Sequence, residues 1–166
     1  MAGHSSATII TKKEKMKLYK NILLEKERIK ILKAVKQSMK DLGPSYPGLQ
    51  TNPFFHEHET MEVFLKKTKR HYKKYDIVKC WANFGLGNTI GWHSHEGSDI
   101  TMIYFLENKC SMGPMLKKEG CEVEITKCPE NSLLVFNSNI VHSAPCHLPE
   151  ERYSIAFEMI KKWKNS

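Results

Sequence analysis

Three histidines and an arginine carry the chemistry that can be read from this sequence. His93-Ser94-His95 closes a β-type run that begins at Ile90. On a strand, residues i and i+2 point to one face, so both imidazoles can reach a single ion. On a helix the same spacing would splay them by about 200°. His142 follows in the run Ile140-Val141-His142, the fourth short β-type run after that pair. Three imidazoles on one face of a folded sheet suit a divalent transition metal such as Fe(II), and they leave coordination positions open for substrate and dioxygen. Arg152 opens the last long run as Arg152-Tyr153-Ser154. Its guanidinium is a fixed positive fork for a carboxylate near the metal, and Ser154 shares its face as a further donor. The plainer alternatives are polar histidines at strand ends and an exposed arginine paired with Glu150 or Glu151.

The neighbouring residues leave options open. Glu96 or Asp99 could supply a carboxylate ligand, with His95 standing behind it. His56-Glu57-His58-Glu59 has a metal-like composition, but it follows Pro53-Phe54-Phe55 in a loop and Glu59 reads as a helix start. His71 falls on a basic helix surface and His147 in a loop. Tyr104 and Phe105 alternate faces and read as packing, Trp81 and Trp92 as core or pocket wall, and the cysteines as buried apolar residues.

The elements that must position these groups follow from periodicity. Ile29, Leu32, Val35, Met39 and Leu42 recur at helical steps and predict a helix from about Glu25 to Leu42, stopped by Gly43-Pro44. Leu18 to Leu24 reads as a first strand or a first helical turn. A second helix is predicted from Glu59 to Tyr75, with Met61, Phe64, Leu65, Thr68, Tyr72 and Tyr75 on one stripe and a solvated lysine-rich face opposite. From Asp76 onward, short β-type runs occupy 77–84, 90–95, 100–106, 121–127, 133–136, 140–143 and 153–160, with turn-rich segments such as 108–114 between them. Strands in succession without intervening helices predict an antiparallel sandwich or barrel. The expected fold is mainly β: a jelly roll supported by about two N-terminal helices.

The chain has 166 residues, enough for one domain, and a net charge of +8. That charge resides in residues 1–40, which carry +8; residues 41–79 carry +2 and residues 80–166 carry −2. The basicity therefore says nothing about a site in the second half, although it could steer the chain to a polyanion. Residues 1–15 read as a flexible basic N-terminus and 16–166 as one domain. No apolar run approaches the roughly 18 residues of a membrane span, and no secretory signal is evident. Five cysteines without a CxxC pair read as reduced thiols. The expected location is cytoplasmic.

The order HxH, distal His, Arg-x-Ser resembles the iron- and 2-oxoglutarate-dependent oxygenases. The closer resemblance is to a set of small members, many of them from phages and marine bacteria. The recurring pieces are Gly48-Leu49-Gln50-Thr51, Trp81-Ala82-Asn83, His93-Ser94-His95, Ile103-Tyr104-Phe105, His142 and Arg152-Tyr153-Ser154. The resemblance spans roughly residues 45–160. It implies a double-stranded β-helix with Fe(II) on His93, His95 and His142. It implies 2-oxoglutarate chelating the metal, with its far carboxylate on Arg152 and Ser154, and Asn83 as a further co-substrate ligand. The implied activity is a dioxygenase, a hydroxylase that consumes dioxygen and 2-oxoglutarate. Its prime substrate is open among a peptide side chain, a nucleic acid and a small molecule.

The chain departs from the wider superfamily at one ligand, where His95 stands in place of the usual Asp or Glu. Three neutral imidazoles leave an iron site at +2, against +1 with a carboxylate ligand. That difference keeps a cupin-like metal dioxygenase without 2-oxoglutarate open. A non-catalytic relative that binds a polyanion or a partner through the lysine-rich helices is the remaining alternative.

Overall fold

Strands mostly from the second half of the chain build two antiparallel sheets with a space between them. The computed structural model describes residues 8–9, 16–42, 48–86, 89–117, 122–145 and 150–163. In chain order the elements are β1 (Thr8–Ile9), β2 (Lys17–Lys20), α1 (Glu25–Ser38), β3 (Lys40–Asp41) and β4 (Leu49–Gln50). Two 3-10 turns (Phe55–Glu57 and Glu59–Met61) lead into α2 (Glu62–Tyr72). Then come β5 (Tyr75–Leu86), β6 (Thr89–His93), β7 (Ile100–Asn108), β8 (Met112–Lys117), β9 (Val123–Lys127), β10 (Ser132–Asn137), β11 (His142–Pro145) and β12 (Glu151–Lys161). The large sheet runs β1-β2-β10-β7-β12-β5-β4-β3 and the small one β6-β11-β8-β9.

The large sheet has two different faces. Its outer face presents Cys80 and Ala82 from β5, Met102, Tyr104 and Leu106 from β7, and Ile155, Phe157 and Met159 from β12. These join Ile31, Ala34 and Val35 of α1 with Met61 and Phe64 in one buried cluster. Phe64 stacks on Phe157 with centroids 5.4 Å apart and tilts against Tyr104 at 4.7 Å. Each such side chain stabilises the fold by roughly 1.5–3 kcal/mol when fully buried. A second cluster, with Leu18, Phe105, Leu116, Leu134 and Phe136, draws on both sheets and fills part of the space between them. The jelly roll with two helices laid on it is the expected architecture.

Several expectations need correction. Helix α1 ends at Ser38, and its buried stripe is Arg28, Ile31, Ala34 and Val35, while Ile29 is 53% exposed. Val35 is buried and Leu32 and Met39 pack against the same cluster, as expected, but the stripe also takes in a cation. Arg28 pairs with Glu25 at 2.8 Å and Glu130 at 2.9 Å, and donates to the Leu106 carbonyl at 2.7 Å. Leu42, expected on the stripe, is exposed. The 17–20 segment resolves to a strand, and Tyr75 belongs to β5 rather than to α2. Strand β8 lies where a loop was expected, because Gly113-Pro114 argued against a strand. A side chain at Gly113 would sit 2.3 Å from Thr126 Oγ1 and 2.5 Å from Cys128 Sγ, so that glycine serves close strand packing. His71 is not a free surface residue: its ring lies 3.8 Å from that of Tyr19. Burial, with Arg70 and Lys17 nearby, pushes its pKa down to about 4. Trp92 is 47% exposed, whereas Trp81 faces the inter-sheet space. Cys80 and Cys128 are buried free thiols and Cys110 is half-buried. The expectations for Gly43-Pro44, Cys121, Cys146 and His147, and for residues 1–15 apart from Thr8–Ile9, lie outside the described residues.

Candidate metal centre

The small sheet brings two of the histidines face to face. In the β6–β11 ladder His142 and His93 are direct partners across the strands, and their ring centroids are 4.3 Å apart. His95 lies two residues beyond the end of β6, not on the strand as expected. Its N–H donates to the Ser138 carbonyl at 3.0 Å, which folds the chain back so that its ring sits 5.1 Å from both others. One ring nitrogen from each histidine lies within 4.8 Å of the other two. Glu96 and Asp99 are both exposed. Asp99 accepts the Lys161 N–H at 2.5 Å, and neither carboxylate joins the cluster.

Hydrogen bonding decides which nitrogen faces inward. His93 Nδ1 lies 2.8 Å from the Gly91 carbonyl, His142 Nδ1 2.9 Å from the Ile140 carbonyl, and His95 Nδ1 2.8 Å from Glu158 Oε1. A carbonyl oxygen has no proton to give and an ionised carboxylate only accepts, so each Nδ1 carries the hydrogen. Each Nε2 is left with a bare lone pair. Burial pushes the His142 pKa down to about 4, with the neighbouring rings adding to the effect. Burial also lowers that of His95, against the opposing pull of Glu158. Neutral rings with oriented lone pairs are the donor set a divalent transition metal takes. The residues present fit Fe(II).

The same cluster lines an open cavity of about 750 Å³ between the sheets. Trp81, Ile90, Ile103 and Phe105 supply apolar wall, and Arg152, Ser154 and Asn83 reach the same space. Arg152 is buried, only 6% exposed, rather than at the surface. Its guanidinium donates to the carbonyls of Pro145 and, at 3.3 Å, Ala144. Those bonds tie β12 to the end of the strand that carries His142. Ser154 is buried and pairs across the ladder with Asn83. Asn83 sits within β5, not at a turn. Its Oδ1 accepts from Gln50 Nε2 at 2.7 Å, which fixes the amide so that its NH₂ remains the donor. Tyr104 and Phe105 pack as expected, Tyr104 under the helices with its hydroxyl donating to Asn131 at 2.8 Å. His58 caps the second 3-10 turn, and the His56–Glu59 segment forms no metal-holding group.

No protein-family model and no curated protein matches the sequence. Solved structures do match the fold. One is an oxidoreductase of the 2OG-Fe(II) oxygenase family from Burkholderia pseudomallei, at 11% identity over 89% of this chain and 84% of that one, with a TM-score of 0.67. The fold is the double-stranded β-helix of such oxygenases. The viral collagen prolyl hydroxylase of Paramecium bursaria Chlorella virus-1 aligns at 13% identity over 91% and 98% of the two chains, with a TM-score of 0.64. The epimerase SnoN, in complex with Fe3+, alpha ketoglutarate and nogalamycin RO, aligns at 9% identity over 89% and 79%, with a TM-score of 0.71.

Sequence reasoning missed Glu158. It falls in the apolar-looking run Ile155-Ala156-Phe157-Glu158-Met159, and the one available signal is its even spacing from Arg152 and Ser154 on a strand.

Proposed function

We propose that this protein is an Fe(II)- and 2-oxoglutarate-dependent dioxygenase that hydroxylates its prime substrate. The observation that carries the reading is the three inward Nε2 lone pairs converging on the wall of a cavity that also holds a buried arginine. In this reading His93, His95 and His142 hold the metal on neutral nitrogen donors. Arg152 binds the far carboxylate of 2-oxoglutarate, with Ser154 and the Gln50-oriented amide of Asn83 as further donors. Bound there, iron with its keto-acid partner supplies dioxygen activation coupled to oxidative decarboxylation to succinate and carbon dioxide. The chain's own part is positional. Arg152 offers a low-dielectric positive site that a dicarboxylate fills better than a monocarboxylate. Trp81, Ile103 and Phe105 keep the cavity wall apolar and exclude water. Residues 16–166 form one oxygenase domain in this reading. The free thiols of Cys80, Cys110 and Cys128 suit a reducing, cytoplasmic setting. Among the described residues no helix is long and apolar enough to cross a membrane.

The test is anaerobic titration. The protein should take up one Fe(II), and addition of 2-oxoglutarate should then produce visible charge-transfer absorption; in air, succinate should form. The all-histidine donor set also suits a cupin-like dioxygenase, which would bind iron without that absorption. No metal uptake would leave the binding-module reading. The prime substrate, whether peptide, nucleic acid or small molecule, is then sought by substrate-stimulated succinate formation.

A further inference from the structure

The three histidines are not supported alike. His93 and His142 each lean on a main-chain carbonyl two residues upstream, a neutral acceptor. His95 leans on a carboxylate: Glu158 Oε1 lies 2.8 Å from its Nδ1, with both side chains about nine-tenths buried. The other oxygen, Oε2, is 3.4 Å from Ser98 Oγ and 3.4 Å from Lys79 Nζ. The Lys79 side chain is more than half exposed, so its charge is well screened. Glu158 is six residues along β12 from Arg152, about 20 Å at strand rise, so the two mark opposite ends of one inward face.

An interior carboxylate is costly unless something there needs it. Burying an apolar residue at position 158 would extend the packed wall of Ala156 with no charge to desolvate. The site, however, lacks a charge in its inner ring of ligands, since all three donors are neutral imidazoles. Glu158 places a negative charge one imidazole away from the metal position, through the ligand that stands where a carboxylate ordinarily does. We infer that Glu158 is a positioning residue that acts through His95, restoring to the metal site the anionic character its three neutral ligands lack. The inference rests on the iron reading above. A carboxylate behind a ligating ring fixes the ring's orientation and strengthens its donor nitrogen, and loss of such a partner typically lowers metal affinity about 10- to 100-fold.

The experiment separates charge from shape. Glu158→Gln keeps the length and an acceptor oxygen but removes the charge. Co(II) and, anaerobically, Fe(II) are titrated into wild type, Glu158→Gln, His95→Asp and the double variant, with circular dichroism confirming the fold of each. The expected result is a loss of about 10-fold or more in affinity for Glu158→Gln, with a shifted Co(II) visible band. In the His95→Asp background, where the ligand itself carries the charge, the same change should cost nothing or improve affinity. A purely structural role would cost both backgrounds equally, within about twofold, and that outcome overturns the inference. Equal affinity of wild type and Glu158→Gln overturns it too while leaving the iron reading intact, whereas a wild type that binds neither metal overturns both. Should Glu158→Gln fail to fold, Glu158→Asp carries the test. Retained charge predicts affinity closer to wild type than the typical 10-fold loss, and a full loss of about 10-fold overturns the inference.

Discussion

The two faces of β12 are built from adjacent residues and do opposite work. Tyr153, Ile155, Phe157 and Met159 turn outward under the helices, where they share one apolar cluster with Phe64 and Tyr104. Arg152, Ser154, Ala156 and Glu158 turn inward and line the cavity beside the three histidines. A pleated strand forces this division, because successive side chains must point to opposite sides. The strand pairs with β5 along its length and with β7 from Arg152 to Met159. The apolar face therefore fixes where the polar face stands, and stability and chemistry can be perturbed separately.

The sharpest way to break that separation is to hollow out the outer face. Phe157→Ala should cost about 3–5 kcal/mol of stability, since a fully buried ring stacked on Phe64 is lost and a cavity remains. Chemical denaturation measures it; a loss below about 1 kcal/mol would mean that the outer face is not the anchor of the strand.

On the inner face, Arg152→Ala should lower 2-oxoglutarate affinity by a factor of tens to thousands, corresponding to about 2–5 kcal/mol for truncating one partner of a buried charge pair. Fe(II) uptake should persist. Unchanged 2-oxoglutarate affinity would remove the arginine from the co-substrate site.

The polar lining also has a cost that pH reveals. In the folded protein His142 is held near a pKa of about 4 against an ordinary value of 6.5. The unfolded chain therefore binds the proton more readily as pH falls. The metal-free protein should be fully stable above about pH 6.5 and should lose about 3 kcal/mol from this group on descending through 4. His71 titrates in the same window, so the relevant comparison is with His142→Gln, whose stability profile should be distinctly shallower. Identical slopes in thermal melts would show that His142 is not the buried base.

The smallest effect is expected at Ser154. Removing its hydroxyl in Ser154→Ala should weaken 2-oxoglutarate binding only a few-fold, about 0.5–1.5 kcal/mol for one hydrogen bond, and leave the denaturation midpoint nearly unchanged. A loss as large as that of Arg152→Ala would mean that the serine, not the arginine, dominates carboxylate recognition.

How much of this is legible in the sequence varies with the distance over which each feature is specified. The two helices and most of the β-type runs rest on local period and residue type. Ile103-Tyr104-Phe105 shows the local part in β7, while the placing of His142 opposite His93 comes from strand pairing 49 residues apart. The stripe of α1 holds Leu32, Val35 and Met39 as expected but is only partly legible, because Arg28 is buried through partners at Glu130 and the Leu106 carbonyl, far along the chain. Strand β8 is hidden because Gly113 is demanded by Thr126 on β9 and Cys128 just past its end, a contact with no local signature.

By itself the sequence determined the alternation that makes β12 two-faced, the donor types at 93, 95 and 142, and the positive charge at 152. These are properties of a residue and its near neighbours along one chain direction. Only the tertiary structure decided that His95 turns back after β6 through the Ser138 carbonyl, that Gln50 orients Asn83, and that Glu158 stands behind His95 across a separation of 63 residues. Each depends on which strands lie side by side and in what register. A one-residue slip in the β12 ladders would turn Glu158 into the helix-facing core and Phe157 into the cavity, so pairing geometry, not composition, makes the site.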